Sequence, residues 1–543
     1  MKATKIFIKY SLVILLAGIC LNCKDILELS PYGVISDKTF WRDQNDALLA
    51  LTGVYNNQSS SGEEDFFSST FVIFGDQKSD NAYADQGVRE YIVDGQLNPD
   101  NPIVGSTWAA SYRKIARANY FLDNIDRIAN MDENVRKVMK AEARFFRAAY
   151  YFFMSQYWGG VPLVQKVLSV PEANSVKIDS KQAVVDFVLK ELGEIAEILP
   201  TTRPDAERGR VTKGAALAFR GRLLMAEKKW TEASAVYKSI MDLGIYIIDP
   251  SYQNIFLEKG EKSKEIIFSI QYLTPNNGNN IPYRYNTFSM GGQSQVTPLN
   301  DLVQAYECTD GKTIDESPLY DVNNPYVKNN VRYRDPRLYF TILLPKVSTL
   351  KDGSLYITHP DSTKSKDAMP KNSWTGYGLL KFIDYDYTGN LSAYGGDVPV
   401  VRYAEVLLSY LESKLEEGKE PITPDLLNQT INKVRGRESV KMPAVTETNR
   451  DKLRIILRRE RRVELAMEGL RNWDIYRWGI AQTVLNQKIY GAKVANGPGG
   501  KYTTDQNGYY YVYERKFKSH HYLWPIPQSE RDINTNLLQN TGY

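Results

Sequence analysis

Apolar side chains recur at helical spacing through the first half of the chain. One face of a predicted helix carries Trp108, Tyr112, Ile115, Leu122 and Ile125, because residues three, four or seven positions apart share a helix face. The next segment, residues 138–158, is rich in apolar residues on all sides, as a helix in a protein interior is. Its pattern stops at Gly159 and Gly160, which are typical of a helix C-terminus.

Three more helices are predicted before the middle of the chain, over residues 180–199, 212–227 and 230–243. Thr212 is a residue type that caps helices, and the last two helices form an antiparallel hairpin. Within that hairpin, spacings close to the tetratricopeptide pattern are found for Gly221, Leu224, Ala233 and Tyr237. Neighbouring helix pairs of similar length predict a small α-solenoid.

The character of the sequence changes after about residue 246. Gly, Asn, Pro, Ser and Asp become frequent up to residue 399, and short β-prone runs lie at 265–272, 339–344 and 379–385. Loops this long in a compact chain are usually functional. Helices return at 401–417, 424–436 and 449–476, and a β-hairpin is predicted over 489–516, around Asn507 and Gly508.

These patterns predict a mostly α protein, with a tetratricopeptide-like helical scaffold and a loop-rich face that contains short strands and hairpins. We divide the mature chain into a helical region, residues 23–245, and a second region, residues 246–543, that carries the loop-rich face. With about 520 mature residues, the chain exceeds the length that one hydrophobic core normally serves.

The N-terminus predicts export. Lys2, Lys5 and Lys9 precede an apolar run over residues 10–21, which suits a signal peptide but is shorter than the about 20 residues that cross a bilayer. We therefore predict a signal peptide over residues 1–22 and a lipid anchor on Cys23. Ordinary cleavage to a soluble product is the alternative, since Cys20 and Asn22 depart from the usual lipobox.

Composition narrows the classes of partner. A net charge of +4 over 543 residues, with no long basic stripe, argues against nucleic acid. The 37 tyrosines and 8 tryptophans bring aromatic residues to 12% of the chain. Aromatic rings suit sugar or peptide binding, and they also suit packing, so composition alone leaves both uses open.

Short motifs occur in a characteristic order along the chain. They read CKDILELSP at 23–31, AEARFFRA at 141–148, WGGVPL at 158–163, RDPR at 334–337, RYAEVLL at 402–408, ERRVEL at 460–465, RWG at 477–479 and WPIP at 524–527. In this order the chain resembles the SusD/RagB family of outer-membrane nutrient-binding lipoproteins from Bacteroidetes. The resemblance covers nearly the whole mature chain.

The resemblance implies a surface-exposed protein, held in the outer membrane through its lipid. It also implies a TonB-dependent transporter of the SusC type as partner and a glycan as the usual ligand. Some members of the family handle peptides, so a peptide-capturing homologue of the same fold is an alternative. An interaction scaffold without a ligand is another.

An enzyme is not expected. Glu460, Glu464 and Glu468 share a predicted helix face at a spacing that would suit a glycosidase pair, but nearby arginines such as Arg461 would lower their pKa values. We therefore interpret them as a structural network and predict no catalytic residue. The three histidines and the cysteines show no metal-site spacing, so no metal or cofactor is expected. A surface hydrolase would need a carboxylate pair that the sequence does not reveal.

Candidate ligand contacts lie in three polar segments, which are residues 75–89, residues 275–290 and the surroundings of Trp374. An aromatic ring in an exposed loop can stack on the C–H face of a sugar. The stacking candidates are Tyr83, Tyr283, Tyr285 and Trp374. The hydrogen-bonding candidates are Asp80, Asn81 and Arg284.

Overall fold

The structure is a computed structural model that describes residues 40–56, 65–84, 90–326, 332–495 and 500–543. The predicted signal peptide and Cys23 lie outside these residues. The α-helices are α1 (Gln44–Tyr55), α2 (Ser69–Gly75), α3 (Pro102–Asn124), α4 (Glu133–Tyr157), α5 (Val170–Ala173), α6 (Lys181–Ala196), α7 (Lys213–Ala226), α8 (Trp230–Asp242), α9 (Ile281–Tyr285), α10 (Asn300–Ala305), α11 (Pro336–Thr341), α12 (Tyr403–Glu417), α13 (Pro424–Gln429), α14 (Ile431–Arg435), α15 (Arg450–Glu464), α16 (Arg471–Arg477), α17 (Ala481–Val484) and α18 (Gln528–Ile533).

In the described residues, eight short strands form four antiparallel two-stranded sheets, β1–β3, β2–β6, β4–β5 and β7–β8. Their bounds are β1 (Ala82–Tyr83), β2 (Ile266–Ile270), β3 (Thr297–Pro298), β4 (Ile342–Leu343), β5 (Gly378–Leu379), β6 (Val398–Arg402), β7 (Lys488–Lys493) and β8 (Tyr509–Glu514). Short 3₁₀ turns occur at Asp76–Lys78, Glu90–Ile92, Ile125–Arg127, Asp205–Glu207, Asn254–Phe256, Glu258–Gly260, Phe288–Met290 and Ser519–Tyr522.

A continuous layer of packed helices confirms the predicted fold class. Helix α3 packs on α4, α4 on α6, α6 on α7, α7 on α8, and α8 on α12. Ser180 and Thr212 cap α6 and α7 through their side-chain oxygens, as the sequence predicts for Thr212. At Gly221 a Cβ atom would lie 2.6 Å from the Tyr237 ring, so glycine is what allows α7 and α8 to approach.

Three predicted helices differ from those in the structure. The helix predicted over 401–417 begins at Tyr403, because the residues before it pair with β2 as strand β6. The segment 424–436 is two helices that separate at Thr430, whose backbone leaves the helical region. The segment 449–476 breaks between α15 and α16, where Met467 and Gly469 have positive φ angles of 64° and 74°.

The β-prone runs form less strand than predicted. Only Ile342 and Leu343 of the 339–344 run are strand, because Asp335 and Pro336 start helix α11 immediately before them. Of the 379–385 run only Leu379 is in a strand, β5. The hairpin predicted at 489–516 is confirmed as β7–β8, although its connection runs from residue 494 to residue 508.

The core joins the end of helix α4 to the C-terminal segment of the chain. The indole nitrogen of Trp158 donates a hydrogen bond to the Pro525 carbonyl at 2.9 Å, and the Asn540 amide donates to the carbonyls of Trp158 and Trp524. One hydrophobic cluster contains residues from both sides of residue 245, and the division at that residue stays a prediction. Within the parts of the chain described above, no helix combines the length and the apolar character needed to cross a membrane.

Candidate functional site

The two loops that the sequence singled out converge on one segment, residues 293–298. The backbone N–H groups of Gln293 and Gln295 donate to the carbonyls of Tyr283 and Arg284, each at 2.9 Å. Two residues later, Thr297 pairs with Tyr83 in the β1–β3 ladder. Residues 293–298 therefore contact both segments, residues 75–84 and residues 275–290. A ligand face shared by the two segments requires such a connection.

Trp374 joins this face through contacts between rings. Its indole lies edge-on to the Tyr83 ring, with centroids 6.0 Å apart and an interplanar angle of 63°. The Tyr513 ring lies 6.5 Å from Tyr83 on strand β8, and we call Tyr83, Trp374 and Tyr513 the aromatic platform. Leu299 and Ile489 pack against it from the interior. Because Trp374 and Tyr513 are half-buried, part of each ring faces solvent.

The hairpin β7–β8 fixes the position of the Trp374 loop. The Ala492 N–H donates to the Thr375 carbonyl at 2.6 Å. A Cβ atom at Gly491 would lie only 2.3 Å from that same carbonyl oxygen. The absence of a side chain at residue 491 therefore lets the tryptophan loop rest directly on the strand.

This hairpin was predicted from the sequence, but no ligand contact was assigned to it. Tyr511 and Tyr490 stand on its two strands, with ring centroids 6.1 Å apart, and both are half-buried. The signal was the run Tyr-Tyr-Tyr-Val-Tyr at 509–513, since alternate residues of a strand share a face.

Two carboxyl groups lie near the rings. The Tyr513 hydroxyl hydrogen-bonds to Asp94, whose pKa is raised by burial. Asp301 accepts a hydrogen bond from the Gln487 amide at 3.0 Å, and burial raises its pKa as well. Burial raises the pKa of Tyr490, and the nearby carboxylates of Asp505 and Asp301 add to that effect. Such oxygens can accept hydrogen bonds from the hydroxyl groups of a polar ligand.

Tyr283 and Arg284 are half-buried. The Tyr283 hydroxyl accepts a hydrogen bond from the Gln293 amide at 2.8 Å. The Arg284 guanidinium lies 5.6 Å from the centre of the Phe74 ring and donates to the Gln295 side chain at 2.5 Å. The segment predicted as a loop here contains helix α9, which presents these residues from a fixed backbone.

The other three predicted contacts, Asp80, Asn81 and Tyr285, are interior residues with at most 4% of their surface exposed. Asp80 accepts two hydrogen bonds from Arg471, each at 2.8 Å, and Asn81 accepts one from Arg462 at 2.7 Å. Although burial alone would raise the pKa of Asp80, Arg462 and Arg471 lower it.

The hydroxyl of Tyr285 donates to the Val72 carbonyl at 3.3 Å. These interior contacts support the backbone of the face. Contact of the ligand with Asp80, Asn81 or Tyr285 stays a prediction.

A buried ion cluster contains the three glutamates that had suggested an enzyme. Glu464 accepts hydrogen bonds from Arg337 at 2.9 Å, from Arg437 at 2.9 Å and from Arg402 at 3.1 Å. Glu460 is paired with Arg337 and Arg435, and Glu468 with Arg402 and Lys381. We use the name buried ion cluster for Arg337, Lys381, Arg402, Arg435, Arg437, Glu460, Glu464 and Glu468.

Burial would raise the pKa of each glutamate in this cluster, but the paired cations outweigh it and the pKa values are lowered. A general acid needs the opposite shift, so these ion pairs agree with the predicted structural network. The prediction that the arginines of the same helix would supply the cations is wrong, because most of the partners come from distant elements. Glu468 also lies beyond the end of α15, outside the helical face on which it was predicted.

Two family models match the chain. One, described as the SusD family, matches residues 264–543. The other, described as starch-binding and associating with the outer membrane, matches residues 27–225.

Individual proteins show the same likeness over their full length. SusD-like protein P38 of Formosa agariphila is 26% identical to the chain, and the match covers 87% of the chain and 92% of that protein. The starch-binding protein SusD of Bacteroides thetaiotaomicron is 22% identical, with 96% of each covered. The crystal structure of a SusD-like carbohydrate binding protein from Bacteroides fragilis superposes with a TM-score of 0.85 at 39% identity, covering 92% of this chain and 100% of the other.

Proposed function

This chain belongs to the SusD family, and from that premise we propose that it captures a glycan at the aromatic platform and delivers it to a TonB-dependent transporter of the SusC type. The observation that carries the proposal is the cluster of Tyr83 on β1, Tyr513 on β8 and Trp374 in the loop between them. Flat rings beside hydrogen-bond acceptors are the combination that a pyranose ring needs. The names of the relatives from Bacteroides fragilis and Bacteroides thetaiotaomicron agree with this ligand class.

Tyr83 is buried, whereas the rings of Trp374 and Tyr513 are partly exposed above it, and a partly exposed site suits capture. A wet, exposed site retains little net free energy after desolvation, so we expect modest affinity for a free oligosaccharide. Closure over a transporter would raise the effective concentration of the ligand at the second site. Capture and retention then become separate steps that use separate contacts.

The proposal includes a lipid anchor on Cys23 and a place on the outer surface of the outer membrane. It assigns no catalytic step to the chain, because the acidic residues with enzyme-like spacing are committed to the buried ion cluster. Bound glycan should therefore be released intact.

A binding screen tests the proposal. The soluble chain from residue 24 to residue 543 would be titrated with polysaccharides, oligosaccharides and peptides, and the ligand would be recovered and checked for cleavage. Saturable binding of one glycan class without cleavage supports capture. Binding of peptides alone would replace the glycan assignment with the peptide-capturing alternative. Release of shortened products would show that the chain is a hydrolase, and no binding at all would favour a scaffold.

A further inference from the structure

A cavity of about 350 Å³ lies between helices α7 and α16, and none of the three platform residues lines it. Helices α4, α6, α8, α12 and α15 complete its wall together with residues 522–523. Aromatic rings form much of that wall, namely those of Phe152, Phe153, Tyr237, Trp473, Tyr476 and Tyr522. Sites for small molecules usually measure about 300–1,000 Å³, so this cavity is large enough for one. We call it the interhelical cavity.

The carboxylates on the wall of this cavity are already paired. Glu405 accepts two hydrogen bonds from Arg222, at 2.7 and 2.6 Å. Asp474 accepts two from Arg461, at 2.9 and 3.0 Å, and it is also paired with Arg477. A cationic ligand would therefore find no free carboxylate on the described wall.

Cations outnumber carboxylates on the same wall. The two carboxylates are accompanied by five cations, which are Lys181, Arg222, Lys228, Arg461 and Arg477. Behind the wall, Glu227 lies 2.8 Å from Lys181. Similarly, Glu412 lies 2.6 Å from Arg477. Lys228 makes no ion pair with the described residues, so the charge of its ammonium group is left unbalanced.

Lys228 also has an unusual backbone conformation. Its φ angle is 55°, and its N–H donates to the Met225 carbonyl at 3.2 Å where α7 ends. Glycine is the usual residue at this position after a helix, because a Cβ atom strains the left-handed conformation. The backbone therefore disfavours lysine here, whereas the side chain places an exposed ammonium group beside the cavity.

Two further donors on the wall have no partner among the described residues. Trp473 is half-buried, and its indole N–H makes no hydrogen bond with them. Arg222 uses Nε and Nη2 for Glu405 and the Val400 carbonyl, which leaves its Nη1 group unpaired. The N–H groups of Arg, Lys and Trp can only donate, so these three groups all lack an acceptor.

We infer that the interhelical cavity binds a small organic anion in which a carboxylate is joined to a flat apolar body; the inference goes beyond the proposed function and does not depend on it. The aromatic wall suits the apolar body, since rings pack well against flat surfaces. The carboxylate supplies the missing acceptor and balances Lys228, and charge-assisted hydrogen bonds are stronger than neutral ones. A free aromatic acid and the C-terminal residue of a peptide share this chemistry.

Calorimetry on residues 24–543 tests the inference with named probes. The acids are indole-3-propionate and 3-phenylpropionate, and the corresponding amides are their uncharged controls. A tetraglycine peptide extended by a C-terminal tryptophan, with a free or an amidated end, represents the peptide source.

Two variants remove donors and are designed to keep the fold. Lys228→Gly removes the ammonium group and suits the left-handed backbone, so thermal unfolding should show no loss of stability. Trp473→Phe keeps an aromatic ring and removes the N–H. Lys441→Gly is the matched control, because Lys441 is also an exposed lysine with a positive φ angle, 52°, and does not line the cavity.

We expect at least one acid to bind the wild-type protein about tenfold more tightly than its amide, as a charge-assisted hydrogen bond implies. Lys228→Gly and Trp473→Phe should each weaken binding of that acid by about tenfold, and Lys441→Gly should leave it unchanged. Binding of the free peptide alone, with the same response to the variants, would support the anion chemistry and identify a peptide as its source. Failure of every carboxylate probe to bind, equal affinity for acid and amide, or an affinity that either variant leaves unchanged would overturn the inference.

Discussion

Trp374 illustrates how a side chain becomes available for binding. Its backbone lies between buried neighbours, Ser373 and Thr375, so the loop itself is fixed. Its ring meets Tyr83 at an edge rather than face to face, and it is half-buried. A ring that is held at its edge can offer a flat face to a ligand at little cost in side-chain entropy.

Replacing that ring should weaken binding without unfolding the protein. We expect Trp374→Ala to lower the affinity for the glycan by about tenfold or more, because stacking area and the contact with Tyr83 are lost together. Trp374→Phe should retain part of the affinity. Isothermal calorimetry measures both, with Tyr120→Ala, a partly exposed ring on α3, as the control. Unchanged binding by Trp374→Ala would remove the platform from the proposal.

The candidate residues were only partly predictable from the sequence. The polar neighbours of Trp374 indicate an exposed loop, and the structure leaves this residue at the surface. The same reasoning fails for Asp80 and Tyr285, because their burial depends on Arg471 and Val72. Arg471 lies 391 positions away from Asp80, and no local pattern reports a partner at that distance.

At the scale of elements, the hairpin β7–β8 and the Trp374 loop act as one unit. We expect Gly491→Ala to reduce glycan affinity by a larger factor than its effect on stability would suggest. The added methyl group would collide with the Thr375 carbonyl and displace the loop from the strand. Calorimetric titration together with thermal unfolding separates the two effects. An unchanged affinity would show that the loop does not need this support.

Helix α15 is tied to its neighbours by charge. Replacing Glu464 by Gln leaves Arg337, Arg402 and Arg437 with one carboxylate fewer in the interior. Loss of one partner from a buried ion pair costs about 3–5 kcal/mol. Chemical denaturation of Glu464→Gln should show a fall of that size in the free energy of unfolding. The exposed Glu197→Gln serves as the control and should show no measurable change.

Low pH should destabilise the protein by protonating carboxylates of the same cluster. Burial raises the pKa of Glu464, but Arg437, Arg402 and Arg337 outweigh it and lower the value from 4.5 to about 2. A carboxylate with a lower pKa in the folded state stabilises the fold above its unfolded pKa and loses that contribution as protons bind. The melting temperature should therefore fall between about pH 4.5 and pH 2, and Glu464→Gln should make that fall shallower. An equally steep fall in the variant would assign the acid response to other groups.

Helices were predicted well where the helical spacing of apolar residues continues without interruption, as it does in α3 and α4. They were predicted poorly where the backbone turns inside an otherwise helical pattern. Met467 and Gly469 adopt positive φ angles between α15 and α16, and the Glu468 between them is thereby brought to Arg402. Tertiary pairing of this kind overrides local helix propensity.

At the scale of the whole molecule, the order of motifs along the chain was the strongest sequence evidence for the fold. The segments around Trp158 and Trp524 lie 366 positions apart in sequence, yet the two rings are in contact at 5.6 Å between centroids. The resemblance predicted the fold from the order of these motifs, but no contact between the two segments was predicted. The conformation of the loops between these motifs depends on contacts that the motifs do not indicate. The residues that form the ligand face were therefore not predictable from the order of motifs.

The proposed lipid anchor on Cys23 also concerns the whole molecule. We expect Cys23→Ala to abolish incorporation of a radioactive fatty acid into the protein in cells, because the modified cysteine would be missing. Cys308→Ala is the matched control and should keep the label, since Cys308 is buried. Absence of label on the wild-type protein would remove the anchor and favour cleavage to a soluble product.

The buried ion cluster also bears on the order in which the chain can fold as it is made. Synthesis runs from the N-terminus, so Arg337 is complete 127 positions before Glu464, and Arg402 is complete 62 positions before it. Until α15 emerges, these guanidinium groups lack most of the carboxylates that permit their burial. We therefore expect the core around them to close only after α15 has been made, so that the growing chain stays open until then. An open chain is the form in which a protein with the predicted signal peptide must cross the inner membrane.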